Sequence, residues 1–126
     1  MIQYFKFIED KYLLVHAGFE PNRLFEDVKN MSIDKALENQ RHKLVWVRED
    51  FYLNKALEGI VTIFGHTPVN EIEKSLGIEE KSIKKICVDN IYKDKIGIDT
   101  GNCYAGGRLA CLRLDDSKVY YIDDEI

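Results

Sequence analysis

Two stretches decide the fold: Tyr12-Leu13-Leu14-Val15-His16-Ala17-Gly18 and Ile60-Val61-Thr62-Ile63-Phe64-Gly65-His66-Thr67-Pro68. Each is an apolar, β-prone run that ends in a histidine set among small or turn-forming residues. Leu13, Leu14 and Val15 run without alternation, as do Ile60, Val61, Ile63 and Phe64. Such runs belong to strands covered on both faces. In α/β sheets, ligands collect beyond the carboxyl ends of strands, where loops present side chains. His16 and His66, 50 residues apart with helical sequence between them, are therefore placed to converge. Imidazole suits Zn, Mn or Fe. A strand-end histidine is equally at home half-buried and satisfied by a backbone carbonyl, and these residues alone leave both roles open.

Working outward, the pattern predicts strands at 4–8, 12–16, 60–64, 84–88, 95–98, 108–114 and 118–122. Asp115-Asp116-Ser117 is a polar turn that joins the last two as a hairpin. Ser32 caps a helix over 33–39. A second helix is expected over 48–58, with Phe51, Leu53, Ala56 and Leu57 as its apolar stripe, and a short one follows Pro68 and ends near Gly77. Two strands, helices, a strand, a short helix and a run of strands make a mixed α/β chain rather than a doubly wound repeat. No repeat or Pro/Gly-rich linker divides the 126 residues, so they read as one unit.

Composition excludes several classes. Hydrophobic residues are 45% and charged residues 32%, enough for a core, and the net charge of −4 without a basic run speaks against nucleic acid as a partner. No apolar stretch approaches the roughly 20 residues of a membrane span, and the amino-terminal residues form no signal region. The expectation is a cytoplasmic protein without a membrane partner. Cys87, Cys103 and Cys111 are odd in number and lack metal-clip spacing, which excludes a disulfide framework or cysteine zinc site. They read as reduced thiols acting as small hydrophobes, with Cys103, in a Gly-rich loop, open to reaction. His42, in the polar stretch Asn39-Gln40-Arg41-His42-Lys43, reads as solvated surface.

Two further segments bear on chemistry. In Leu44-Val45-Trp46-Val47-Arg48-Glu49-Asp50-Phe51, an arginine stands where a helix begins. Its fork and the free amides there can hold an anion, or it can pair with Glu49 or Asp50 at the surface. In Ile98-Asp99-Thr100-Gly101-Asn102-Cys103-Tyr104-Ala105-Gly106-Gly107-Arg108-Leu109, three glycines interrupt two strands. That loop is either a tight connection or the rim of a site, and it is not a dinucleotide fingerprint.

Taken in order, Val15-His16-Ala17-Gly18, Trp46-Val47-Arg48-Glu49, Phe64-Gly65-His66-Thr67-Pro68, and Ile98-Asp99-Thr100-Gly101 with Tyr104-Ala105-Gly106-Gly107-Arg108-Leu109 resemble one family. It is the calcineurin-like metallophosphoesterases, on the branch with bacterial Ser/Thr protein phosphatases and symmetrical diadenosine tetraphosphatases. The similarity is to the family's second half and runs through essentially the whole chain. It implies a two-sheet sandwich flanked by helices, with a mixed sheet and a carboxyl-terminal antiparallel hairpin. His16 and His66 would be ligands of one metal in a two-metal centre (Mn, Fe or Zn), and Arg48 would bind the substrate phosphate. Asn102 and Tyr104, on the rim loop, could touch substrate.

The family's Asp-x-His, Gly-Asp-x-x-Asp and Gly-Asn-His segments do not occur in this sequence. They carry the other metal ligands and the histidine that protonates the leaving group. The expectation is therefore that residues 1–126 form the carboxyl-terminal portion of a phosphoester hydrolase, inactive alone, binding metal weakly and self-associating through the surface left open. The complete protein would act on a phosphorylated protein or, alternatively, on diadenosine tetraphosphate. A non-catalytic module that has lost its metal site is the reading from another class.

Overall fold

A computed structural model describes residues 3–79, 84–89 and 91–123. A five-stranded sheet is built from β1 (Phe5–Ile8), β2 (Tyr12–Val15), β3 (Val61–Phe64), β4 (Cys87–Val88) and β5 (Lys95–Gly97), in the order β1-β2-β3-β5-β4. β2, β3 and β5 run parallel, and the edge strands β1 and β4 are antiparallel to their neighbours. β6 (Arg108–Arg113) and β7 (Lys118–Asp123) form a separate antiparallel hairpin. Among the described residues, five short helices accompany the strands: α1 (Pro21–Asp27), α2 (Ile33–Glu38), α3 (Arg41–Trp46), α4 (Glu49–Tyr52) and α5 (Val69–Ser75). The architecture is mixed α/β, with a mixed sheet and a carboxyl-terminal hairpin.

The core lies on one face of the large sheet. Phe5, Phe7, Leu13, Val15 and Phe64 project there and meet Leu24, Leu37, Leu44, Phe51 and Ile72 from the five helices. β3, the middle strand, is buried at Thr62, Ile63 and Phe64, so its unalternating run is covered on both faces. At the outset of the helical region, Pro21 opens α1 where its missing N–H costs nothing, and the buried Gln40 amide braces the entry by bonding both the N–H and the carbonyl of Glu20, at 2.7 and 3.2 Å. Ser32 caps α2, its hydroxyl accepting from the Lys35 N–H at 3.2 Å.

Three expectations need correction. The helix expected over 48–58 is a single turn, because the chain is drawn out of it by two side chains at the start of β5, those of Lys95 and of Asp94 just before it. Lys95 Nζ donates to the Asn54 carbonyl at 2.6 Å, and the Ala56 N–H donates to Asp94 Oδ2 at 2.6 Å. The strand expected over 84–88 is reduced to two residues, because side chains of the hairpin take the backbone groups before it. Arg108 Nε donates to the Lys84 carbonyl at 2.6 Å, and the Ile86 N–H donates to the Tyr121 hydroxyl at 3.1 Å. The cysteines form no disulfide among the described residues, but Cys103 and Cys111 are exposed and only Cys87 is partly covered, so two of the three are not core hydrophobes. Helices α1 and α3 were not expected; Pro21 was the available sign of the first.

Candidate functional site

The carboxyl ends of three neighbouring parallel strands carry the site. β2 leads into His16, β3 into His66 and β5 into Asp99. Backbone hydrogen bonds tie the three loops together. The Gly65 N–H donates to the His16 carbonyl at 2.8 Å, and the Val69 N–H donates to the Asp99 carbonyl at 2.8 Å. The Ala17 N–H donates to the Leu44 carbonyl at 2.7 Å, which docks α3 against the first loop.

This framework brings the two histidines together, with ring centroids 5.1 Å apart. The Trp46 ring stands edge-on to His66 at 5.6 Å and is itself 71% exposed. His66 has φ of +67°, and the Thr67 N–H closes a three-residue turn onto the Gly65 carbonyl at 2.7 Å. A non-glycine residue held there costs about 1–3 kcal/mol, a form of strain that concentrates at functional sites. The His66 Nε2 atom is buried and finds no hydrogen-bond partner among the described residues. An unpaired buried nitrogen of this kind is costly unless something else accepts or binds it.

Electrostatics around His66 favour the neutral ring. Burial, the Arg48 charge and the His16 ring hold its pKa below the ordinary imidazole value, against the opposing pull of Asp99 and the Trp46 backbone. A neutral ring keeps a lone pair for a ligand. Arg48 is exposed at the head of α4 and lines an open cavity of about 370 Å³ with Asn70, Glu71, Lys84, Thr100 and Tyr104. α4 is only one turn long, so it offers no helix-terminus site of its own and the charged group at its head is the Arg48 guanidinium. Tyr104 is 62% exposed on the rim loop. That loop closes where the Asp99 carboxylate accepts from the Gly101 N–H at 2.9 Å and the Thr100 hydroxyl donates to the Arg108 carbonyl. A side chain at Gly107 would collide with the Gly101 carbonyl, with only 1.7 Å between them.

The structure thus brings His16, His66 and Arg48 to one end of the sheet. His42 is exposed on α3, outside this group. Sequence reading did not single out Trp46 as a neighbour of His66, nor Phe51 as the residue beneath both loops. Phe51 packs on Phe19 at 4.9 Å and Phe64 at 5.2 Å, and a side chain at Gly18 would come within 2.3 Å of its ring. The two small residues after His16 were the available signal, since they mark where something bulky passes close. Among the described residues, no three His, Cys, Asp or Glu side chains gather as a metal-ligand group, and no helix is long and apolar enough to cross a membrane.

Comparison with protein-family models, curated proteins and solved structures returns no match for this chain.

Proposed function

We propose that this chain is the carboxyl-terminal portion of a dinuclear-metal phosphoester hydrolase of the Ser/Thr protein phosphatase kind. The observation that carries the reading is the pairing of His16 with His66 at 5.1 Å, with the His66 Nε2 buried and unpartnered among the described residues. Imidazoles at adjacent strand ends, one of them, His66, in a strained turn and held toward its neutral form, suit a divalent ion such as Mn, Fe or Zn. They amount to two nitrogen donors, short of the three or so protein ligands of a catalytic site. The carboxylates that complete the site would come from a segment bearing the family's other motifs. Divalent ions, when bound, supply Lewis acidity toward phosphoryl oxygens and activate water. The chain's own part is to hold two ligand nitrogens rigidly and to set the Arg48 guanidinium beside them, where it binds phosphate and steadies charge developing on it.

Manganese quenching of Trp46, the only tryptophan, tests this reading. Mn²⁺ should quench its emission saturably, and His16→Ala or His66→Ala should weaken that binding at least tenfold while Arg48→Ala leaves it unchanged. Equal quenching in all four proteins would show that the histidines hold no ion. With para-nitrophenyl phosphate and Mn²⁺ the chain alone should show no turnover; activity that survives repurification and disappears in His66→Ala would overturn the view that it is incomplete.

The exposed rings of Trp46 and Tyr104, near Arg48, support a second substrate class, diadenosine tetraphosphate, whose bases could lie on them. Turnover by the assembled enzyme on that compound and on a phosphopeptide would separate the two.

A further inference from the structure

We infer that the buried Asp94–Lys95 pair is a positioning element for Arg48, an inference that rests on reading Arg48 as the phosphate-binding side chain. The pair lies at the start of β5, where Lys95 stands beside Thr62. His16 and His66 follow the opposite ends of β2 and β3, so the pair reaches none of the groups at the site. Lys95 is 2% exposed and Asp94 6%. The ammonium has Asp94 Oδ1 at 2.6 Å and Asp89 Oδ2 at 3.3 Å, and the Tyr92 ring at 5.0 Å. Burying three charged groups is expensive, and hydrophobic residues of similar volume would often serve stability as well.

What distinguishes this cluster is where its remaining bonds go. Lys95 Nζ donates to the Asn54 carbonyl, and Asp94 Oδ2 accepts from the Ala56 N–H, both at 2.6 Å. These are the residues that leave α4, and Arg48 is the residue that enters it. A single helical turn does not hold its own direction. Its orientation is set by its buried face and by whatever pins its ends. The buried face is Phe51, seated over Gly18 two residues beyond His16, together with Tyr52, whose hydroxyl bonds the Ser75 hydroxyl at 3.1 Å, and the far end is pinned by Asp94 and Lys95. With Phe51 as the pivot and the exit fixed, the entry carrying Arg48 takes one orientation toward the histidines. Without the pin the turn rocks about Phe51 and Arg48 loses its aim.

Orthophosphate titration of the full chain in Mn²⁺ buffer, followed by Trp46 emission, tests the inference. The double substitution Asp94→Asn/Lys95→Met conserves volume, keeps an acceptor for the Ala56 N–H and removes the pin on Asn54. It should weaken phosphate binding at least fivefold and shift the Trp46 emission maximum, with Mn²⁺ binding and far-UV circular dichroism unchanged. A purely structural role would move only the melting temperature. Leu53→Gly, at the exit of α4, leaves the pair intact but loosens its link to the helix, and it should weaken phosphate at least threefold even if the double variant does not fold. Phosphate affinity like the parent's in Leu53→Gly or in a folded double variant overturns the inference. If the parent gives no saturable phosphate response, or Arg48→Ala binds as the parent does, the reading of Arg48 fails and the inference falls with it. If Arg48→Ala alone loses phosphate, only the positioning claim is lost.

Discussion

The helix-covered face of the five-stranded sheet and the outer face of the β6–β7 hairpin are made of similar residues and have opposite fates. On the first, Leu13, Phe19, Leu24, Leu37, Leu44 and Phe51 are all 0% exposed. On the second, the cross-strand pairs Leu109–Ile122 and Cys111–Tyr120 lie open, with Ile122 65% and Leu109 51% exposed. The hairpin's other face carries Arg108 and Tyr121, the guanidinium stacking on the ring at 3.6 Å, and the two bond the backbone of Lys84 and Ile86 respectively. The contrast teaches that apolar patterning specifies which side of a strand is to be covered but not whether this chain supplies the cover. It also ranks the sites at which substitution should be felt.

Phe51→Ala should have the largest effect. It empties the point where α4, the Gly18 turn and β3 meet, and should cost about 3–5 kcal/mol, measured by urea denaturation. Gly18→Ala should cost about 3 kcal/mol, because φ of +143° disfavours a side chain and its Cβ would meet the Phe51 ring at 2.3 Å. The two should not add, since removal of the ring in Gly18→Ala/Phe51→Ala relieves the clash. Strict additivity would show that Phe51 does not press on that turn.

The closed region should also be the acid-sensitive one. Burial by itself would raise the Asp89 carboxyl, but bonds from the Ile91 N–H and with Asp94, together with the Lys95 charge, hold its pKa below the ordinary carboxylate value. A folded-state pKa below the unfolded one means the stabilisation is fully present above about pH 4 and is lost as pH falls through the lower folded value. Urea midpoints should therefore drop between pH 5 and the acid range, taken as about pH 3, and Asp89→Asn should flatten that drop. An identical pH profile in the variant would assign the acid sensitivity elsewhere.

The smallest change in stability belongs to the open face. Leu109→Thr and Ile122→Thr should each stay within about 0.5 kcal/mol. Their effect should appear in association instead, because an uncovered apolar face and a free strand edge favour pairing between copies. Sedimentation at micromolar concentration should show a dimer or larger species for the parent and a shift toward 14.7 kDa for the double variant. A parent that sediments as a single 14.7 kDa species with a cooperative melt would remove this distinction between the two faces.

Much of this was legible in the sequence, and for identifiable reasons. Local chemistry determined the mixed α/β class, the position of every strand to within a few residues, the Ser32 cap, the turn before β7 and the placement of His16 and His66 at strand ends. Each depends on a residue and its near neighbours in the chain. Three things were decided only by tertiary structure. The helix over 48–58 gave way to one turn because Asp94 and Lys95, some 40 positions along the chain, outbid the helical hydrogen bonds at Asn54 and Ala56. The strand before Cys87 was shortened by Arg108 and Tyr121 of the hairpin. The distance between His16 and His66, with Trp46 and Arg48 beside them, follows from parallel pairing of β2 with β3 and from the Ala17–Leu44 bond. Propensity and periodicity report what a segment prefers in isolation; buried hydrogen bonds to distant partners, which cannot be left unmade, determine what it becomes.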